Sequence, residues 1–453
     1  MNVTHVEEFL EFLRFPSIST NPEHKSDVSA CAQWLESKLN AIGLQAQLYQ
    51  TGGHPIVVAR NAHQPGRRTV MIYGHYDVQP VDPLELWDSP PFEPRIEGDI
   101  VFARGATDNK GQILAHVLGV AETLREKGEL PVNLIFLIEG EEEVGSMHLE
   151  AFLVAHREEL RCDVIAVSDT GMVARGVPTL TYGLRGVAAL ELKVIGPATD
   201  LHSGIFGGAV ANPLSVLARL LSALHTASGQ VAVPGFYDEV KPLADWERAA
   251  WQRLPIGDVE LRALTGVPAL AGEPSYSALE RICARPTAEI NGVGGGFQGL
   301  GSKTVIPSEA FAKLTFRLVP DQAPDVILAR VSAYLREICP ASVRLEITLG
   351  HAGEPYVADP NSGDGAAAQR ALRRTFQSDV ALIREGGSIP IINTFRKVLG
   401  VETLLLGLAL PDCRAHAPNE NFPLANFFAG IRLNRALLEE LALESTPGNV
   451  PVV

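Results

Sequence analysis

The chain has 453 residues, more than one hydrophobic core usually supports, so two domains are expected. With 46% hydrophobic and 20% charged residues it has the composition of an ordinary soluble globular protein, and a net charge of −15 disfavours nucleic acid or anionic membranes as partners. Five scattered cysteines without a CxxC pair argue against a disulfide framework or a thiolate metal site, and no apolar stretch reaches the roughly 20 residues of a membrane span, so a cytoplasmic protein is the default.

The first fifteen residues lack a basic segment followed by an apolar run and are expected to form an amphipathic helix rather than a leader. Val28, Cys31, Ala32, Leu35, Leu39 and Ile42 then repeat at helical spacing up to Gly43, a C-cap. Apolar strands are expected at about residues 68–74, 132–138 and 163–168, with an amphipathic helix over 112–127. Unbroken apolar strands separated by such helices imply a sheet buried on both faces. Beyond Gly183 the order strand (187–195), helix (213–225), strands (287–291 and 310–319), helix (324–338), strand (343–350) spells the ferredoxin-like βαββαβ arrangement, interrupted by an insertion at about 230–285. A last strand over 402–408 returns to the first domain. The domain reading is therefore 1–184 and 384–453 for a discontinuous catalytic domain, with 185–383 inserted.

Five short stretches place a carboxylate or imidazole at a strand end: YGHYD (73–77), GATDNKG (105–111), EGEEEVGS (139–146), VSDT (167–170) and AHAPNE (415–420). An open α/β sheet gathers ligands outside the carboxyl ends of its strands, so the five would meet at one crevice. Two histidines and three carboxylates suit a pair of divalent ions. Imidazole ligation argues for Zn²⁺, with Mn²⁺ or Co²⁺ as alternatives, over the oxygen-seeking Mg²⁺ and Ca²⁺. His75, Asp108 and Asp169 are assigned to one ion and Asp108, Glu143 and His416 to the other, Asp108 bridging from its glycine-flanked turn. Glu142, beside a ligand, is free to act as a base. Asp77 fits a supporting role, because a ligating imidazole nearly always gives its other N–H to a carboxylate or carbonyl.

Two other patterns carry less. Gly294, Gly296 and Gly299 satisfy GxGxxG, yet a strand pattern rather than a helix follows, so the dinucleotide reading fails its context. Ser203 lacks the GxSxG elbow of a serine nucleophile.

The segments GHYDVQP, WDSPPFEP, RGATDNKG, EGEEEVGS, TYGLRG, DLHSGIFGG, KTVIP, REGGSIP and AHAPNE resemble, in order and spacing, the aminoacylase/carnosinase family of di-metal exopeptidases, closest to its cytosolic non-specific dipeptidase branch. The resemblance implies an α/β fold: a di-zinc exopeptidase-like catalytic domain, its mixed sheet flanked by helices, with an inserted ferredoxin-like lid and dimerisation domain. It implies the same five ligands, Glu142 as general base, a cis peptide between Asp108 and Asn109, and a homodimer in which His202 reaches the partner's cleft. Asp169, where other branches carry glutamate, resembles the dipeptidase side. Glu141 departs from the apolar residue dipeptidases often have there.

A pair of ions lowers the pKa of a shared water from 15.7 toward about 7, Glu142 takes its proton and passes it to the departing amine, and His202 is the candidate donor to the oxyanion. Arg317 offers a bidentate fork for a free substrate carboxylate. Thr304, Gly387 and Ser388 are carried over by resemblance as contacts to the substrate terminus. A dipeptidase or short-peptide exopeptidase is the favoured reading. An amidohydrolase removing an acyl, succinyl or carbamoyl group, or a non-catalytic metal or amino-acid binder, are its alternatives.

Overall fold

The computed structural model describes residues 2–444. The chain builds two main sheets with separate cores, beside a two-stranded and a three-stranded ribbon. The larger has nine strands, and its centre is a parallel run: Asn133–Glu139 beside Thr69–His75, then Val164–Gly171, then Thr403–Ala409. Both faces are covered, which is why the central strands read as continuous apolar runs; all seven residues of Asn133–Glu139 are buried. On one face lie helices Val3–Leu13, Lys25–Ala41, Lys110–Lys127, Gly363–Phe376 and Leu424–Ala442, with Phe9 stacked on Phe427 and Val117 and Leu437 among the fully buried residues. On the other, helices Leu149–Ala155 and Ile391–Leu399 bury Phe152 and Phe395 against Met71 and Tyr73.

The smaller sheet is antiparallel, in the order Thr287–Gly295, Glu309–Leu318, Gly186–Ile195, Arg344–Gly353. Its helices Pro213–Ser222 and Pro324–Ile338 cover one face around Leu190, Leu217 and Phe316. This is the ferredoxin-like order expected from the pattern. Alternation drives it: Glu309–Leu318 buries Ala310, Ala312, Leu314, Phe316 and Leu318 on the helix side and turns the residues between them outward.

One feature departs from the expected organisation and a second adds to it. The chain rejoins the large sheet before residue 384, because Tyr356–Val357 pairs with Leu184 and Gly183, and Ala381–Glu385 runs parallel to Thr179–Leu184. Between them, Ala367, Ala368, Ala371 and Leu372 of helix Gly363–Phe376 are buried in the main core. The segment 230–285 is not an appendage: Trp251 Nε1 donates to Leu382 O, and Glu247 binds both Tyr182 and Arg384, so it seals the edge of the large sheet. Among the described residues no helix is long and apolar enough to cross a membrane.

Candidate metal centre

The four central strands run the same way, so their carboxyl ends form one rim. Thr69–His75 ends on His75, Asn133–Glu139 leads into the turn Glu142–Val144, Val164–Gly171 carries Asp169 near its end, and the loop after Thr403–Ala409 brings back His416. Asp108 arrives at the start of helix Lys110–Lys127, and the Asp108–Asn109 peptide is cis.

All five proposed ligands meet there. His75, Asp108 and Asp169 offer donor atoms within 4.8 Å of one another, and so do Asp108, Glu143 and His416. His75 Nε2 lies 3.1 Å from Asp108 Oδ1 and 3.6 Å from Asp169 Oδ2; His416 Nε2 lies 2.8 Å from Asp108 Oδ2 and 3.4 Å from Glu143 Oε2. Two donors held about 2.0–2.1 Å from one tetrahedral ion stand about 3.3 Å apart, so the spacing fits shared cations. Asp108 presents one oxygen to each triad, as a bridge must. Glu143 Oε1 is buried without a hydrogen-bond partner, a donor left over for a cation.

The electrostatics point the same way. Burial pushes the Glu143 carboxyl up to about 9, and the neighbouring Asp108 charge adds to it. Burial likewise raises Glu142 well above the carboxylate range; His75 opposes this, while Asp169, Glu143 and Asp108 reinforce it. Burial would lower His75, but hydrogen bonds to Asp108, Asp169 and Asp77 outweigh it and hold the imidazolium well above its usual value. The pocket thus concentrates negative charge that divalent cations would balance.

Supporting residues fix the ligands. Asp77 is fully buried; its backbone oxygen lies 3.0 Å from His75 Nδ1, and its carboxylate accepts from the backbone N–H groups of Glu142 and Glu143. One residue, through its backbone oxygen and its carboxylate, therefore orients a proposed ligand, the proposed base and the next proposed ligand. Asn109 Nδ2 donates to Asp169 Oδ1 at 2.8 Å, and a Cβ at Gly74 would stand only 2.7 Å from Asn109 Oδ1, so the position before His75 has no room for a side chain. Glu141, the departure from the dipeptidase pattern, is paired with His148 and packs against the Gly52–Gly53 turn.

Glu420 is the residue whose role the sequence reading missed. Fully buried, its carboxylate accepts from the backbone N–H groups of Gly105, Thr107 and Asp108 and pairs with Arg104 at 2.8 Å. It ties the bridging aspartate's turn to the loop bearing His416, where Arg414, His416 and Asn419 all have positive φ. The only signal was its place in AHAPNE; its partners lie more than 300 residues away.

The substrate candidates divide. Arg317, on Glu309–Leu318, donates to Ser388 Oγ at 3.0 Å, with Gly387 adjacent. His202 is exposed; Leu201–His202 pairs with Val305–Ile306, and Ser203 N donates to Thr304 O. Among the described residues no hydrogen bond or ion pair joins His202 or Thr304 to the carboxylate–histidine cluster; His202 Nδ1 accepts only from Gly204 N–H. Gly294 and Gly295 sit in a strand, so no phosphate loop forms there.

Fold and cluster together define a metal-dependent hydrolase. The chain matches the model of peptidase family M20/M25/M40 over residues 71–440, and it belongs to that family. It is 33% identical to the Cys-Gly metallodipeptidase DUG1 of Candida albicans, covering 94% of this chain and 92% of that one. It is 32% identical to the human Beta-Ala-His dipeptidase over 86% of this chain and 78% of the relative. Among solved structures, the M20 family metallo-carboxypeptidase Sso-CP2 of Sulfolobus solfataricus superimposes with a TM-score of 0.86 at 32% identity, covering 97% of this chain and 99% of the other.

Proposed function

We propose that the chain is a metallodipeptidase, hydrolysing the peptide bond of dipeptides or short peptides that carry a free C-terminal carboxylate. The observation that carries this is the pair of donor triads sharing Asp108 at the carboxyl rim of the large sheet. The relatives named for Cys-Gly and β-Ala-His hydrolysis support the substrate class. We assign His75, Asp108 and Asp169 to one ion and Asp108, Glu143 and His416 to a second. Two imidazoles in the set favour Zn²⁺, with Mn²⁺ or Co²⁺ as substitutes.

When bound, the ions supply Lewis-acid polarisation of the scissile carbonyl and a water acidic enough to react near neutral pH. The rest falls to side chains. Glu142, held by Asp77 through its backbone N–H, accepts the proton of the attacking water on its carboxylate and delivers it to the departing amine. Arg317 and Ser388, already in contact, hold the substrate carboxylate, with Gly387 and Thr304 completing that end. Imidazole N–H of His202 stabilises the oxyanion, reaching into the cleft of a partner subunit in a homodimer; its exposure, its lack of contact with its own cluster, and the exposed Ile205 and Phe206 beside it support this. The five cysteines are all unpaired thiols, which supports a reducing, cytoplasmic setting.

A panel of dipeptides and N-acyl amino acids, assayed after loading with Zn²⁺ or Mn²⁺ and again after chelation, tests the proposal. Metal-dependent turnover of dipeptides is expected. Preferential turnover of N-acyl amino acids would reassign the chain to the deacylases.

A further inference from the structure

A cavity of about 680 Å³ opens where the small sheet meets the large one. Residues 271–273, residues 281–286 and the first residues of edge strand Thr287–Gly295 wall one side. Arg317 and Arg185, the latter in the link between strands Thr179–Leu184 and Gly186–Ile195, complete the lining used here. Its guanidinium groups differ in how they are neutralised. Arg285 is bidentate on Glu273, both bonds at 2.8 Å, and lies over the rings of Tyr276 and Tyr237. Arg185 and Arg317 form no ion pair among the described residues. Arg185 Nε donates instead to Gly386 O at 3.0 Å and its Nη1 to Arg285 O at 3.3 Å, while Arg317 Nη1 donates to Ser388 Oγ. Burial lowers the Arg185 guanidinium to about 10; the Arg317 charge adds to this, and Cys283 and Glu289 oppose it. Glu289, the other acidic residue of the lining, is exposed and forms no ion pair among the described residues. Two neighbouring cations with no carboxylate bound to either are costly when partly removed from water, so the cavity suits a ligand that brings two anionic groups.

Where those groups sit follows from Arg317. On the reading above, Arg317 and Ser388 hold the substrate's terminal carboxylate. The side chain of the terminal residue leaves the same α-carbon, so it starts beside Arg317, and the cavity that Arg317 borders is the room open to it. The volume falls in the range of about 300–1,000 Å³ usual for small-ligand pockets, ample for one side chain. In a C-terminal aspartate or glutamate, two or three carbons separate the two carboxylates. With one on Arg317, the second meets Arg185. A neutral side chain leaves Arg185 without a counter-ion, and a basic one adds a third cation.

We propose that this cavity receives the side chain of the substrate's C-terminal residue and selects an acidic one, with Arg185 as its counter-ion. This rests on the dipeptidase reading and names the peptides within it that the site prefers: those ending in glutamate or aspartate.

Glycyl-glutamate and glycyl-glutamine have nearly the same shape and differ in that one charge. The wild type should favour glycyl-glutamate in kcat/KM on the order of 10-fold or more, the size of a charge-assisted hydrogen bond. Arg185→Gln should abolish most of that preference, and Arg185→Lys, which keeps the charge, should retain the larger part of it. Arg185 also holds Gly386, so a purely structural role would weaken both peptides alike in either variant; that result overturns the assignment. Should the Arg185 variants fail to fold, Glu289→Gln on the exposed edge strand carries the test. Removing the cavity's unpaired negative charge should raise the preference for glycyl-glutamate, and an unmoved ratio overturns the proposal. Wild-type enzyme that cleaves the two peptides equally, or favours glycyl-glutamine, overturns it as well. Absence of metal-dependent turnover with either peptide would instead overturn the dipeptidase reading itself.

Discussion

The carboxyl rim of the large sheet and the Leu201–His202 ribbon of the small domain are built in opposite ways. On the rim, four of the five proposed ligands are gripped: Asp77, Asn109 and Glu420 fix His75 and Glu143, Asp169 and the Asp108 turn, while His416 is exposed and among the described residues meets only Asp108 and Glu143. On the ribbon, His202 is exposed, sits on a two-residue pairing, and among the described residues makes no hydrogen bond or ion pair to the cluster. Ligands must be preorganised because each ångström of misplacement weakens coordination, whereas a group that completes the site after substrate enters must be able to approach from outside. On the reading proposed above, metal binding and proton transfer belong to one chain's own sheet and oxyanion stabilisation to a partner's ribbon.

The largest expected effect tests the gripped half. Glu142→Gln should lower kcat roughly 10²- to 10⁴-fold, the usual size of a general acid–base contribution, with KM changed less. Both metals should remain, because Asp77 and the five ligands are untouched. Loss of metal in this variant, measured by elemental analysis, would mean that Glu142 is the ligand and Glu143 the base.

The exposed half is broken by subunit mixing. Homodimers carrying His202→Ala or Glu142→Ala should both be inactive. After reversible dissociation at a 1:1 ratio, half the dimers are mixed and each has one intact site, so about a quarter of wild-type activity should return. If exchange is verified and nothing returns, His202 serves its own subunit or none.

A smaller effect separates the fold's stability from its chemistry. His116, on helix Lys110–Lys127, is buried between Ser168 Oγ and Asn434, and burial lowers it to about 4 from 6.5. The folded state then binds a proton less readily than the unfolded state, so stability is intact above pH 6.5 and falls as pH drops toward 4, by up to about 3 kcal/mol. Urea titrations of the apo protein should show this acid limb, shallower in His116→Gln. An unchanged limb would show that other groups carry it.

How legible all this was depended on distance along the chain. Each proposed metal ligand announced itself locally, a histidine or carboxylate where an apolar run stops, because the chemistry of a strand end depends on nearby residues. The ferredoxin-like unit was legible for the same reason: Glu309–Leu318 alternates residue by residue. Glu420 was not, since its carboxylate serves backbone N–H groups of Gly105, Thr107 and Asp108, and backbone groups leave no trace in a side-chain pattern. The early return to the large sheet was hidden too. Tyr356–Val357 is too short to show a period, and Ala381–Glu385 finds its partner Thr179–Leu184 only after the small domain has looped out between them. Short strands at Gln45–Tyr49 and Ile56–Arg60 escaped notice on the same ground.

The shared Asp108 is the centre of the account, and metal stoichiometry measures it most directly. Apo protein prepared by chelation and titrated with Zn²⁺ should bind two ions per chain, with dipeptide turnover returning as they bind. Asp108→Ala should lose both sites together, because one oxygen faces each triad. Stoichiometry of one in the wild type, or an Asp108→Ala variant that retains a full-affinity site, would contradict a bridged pair.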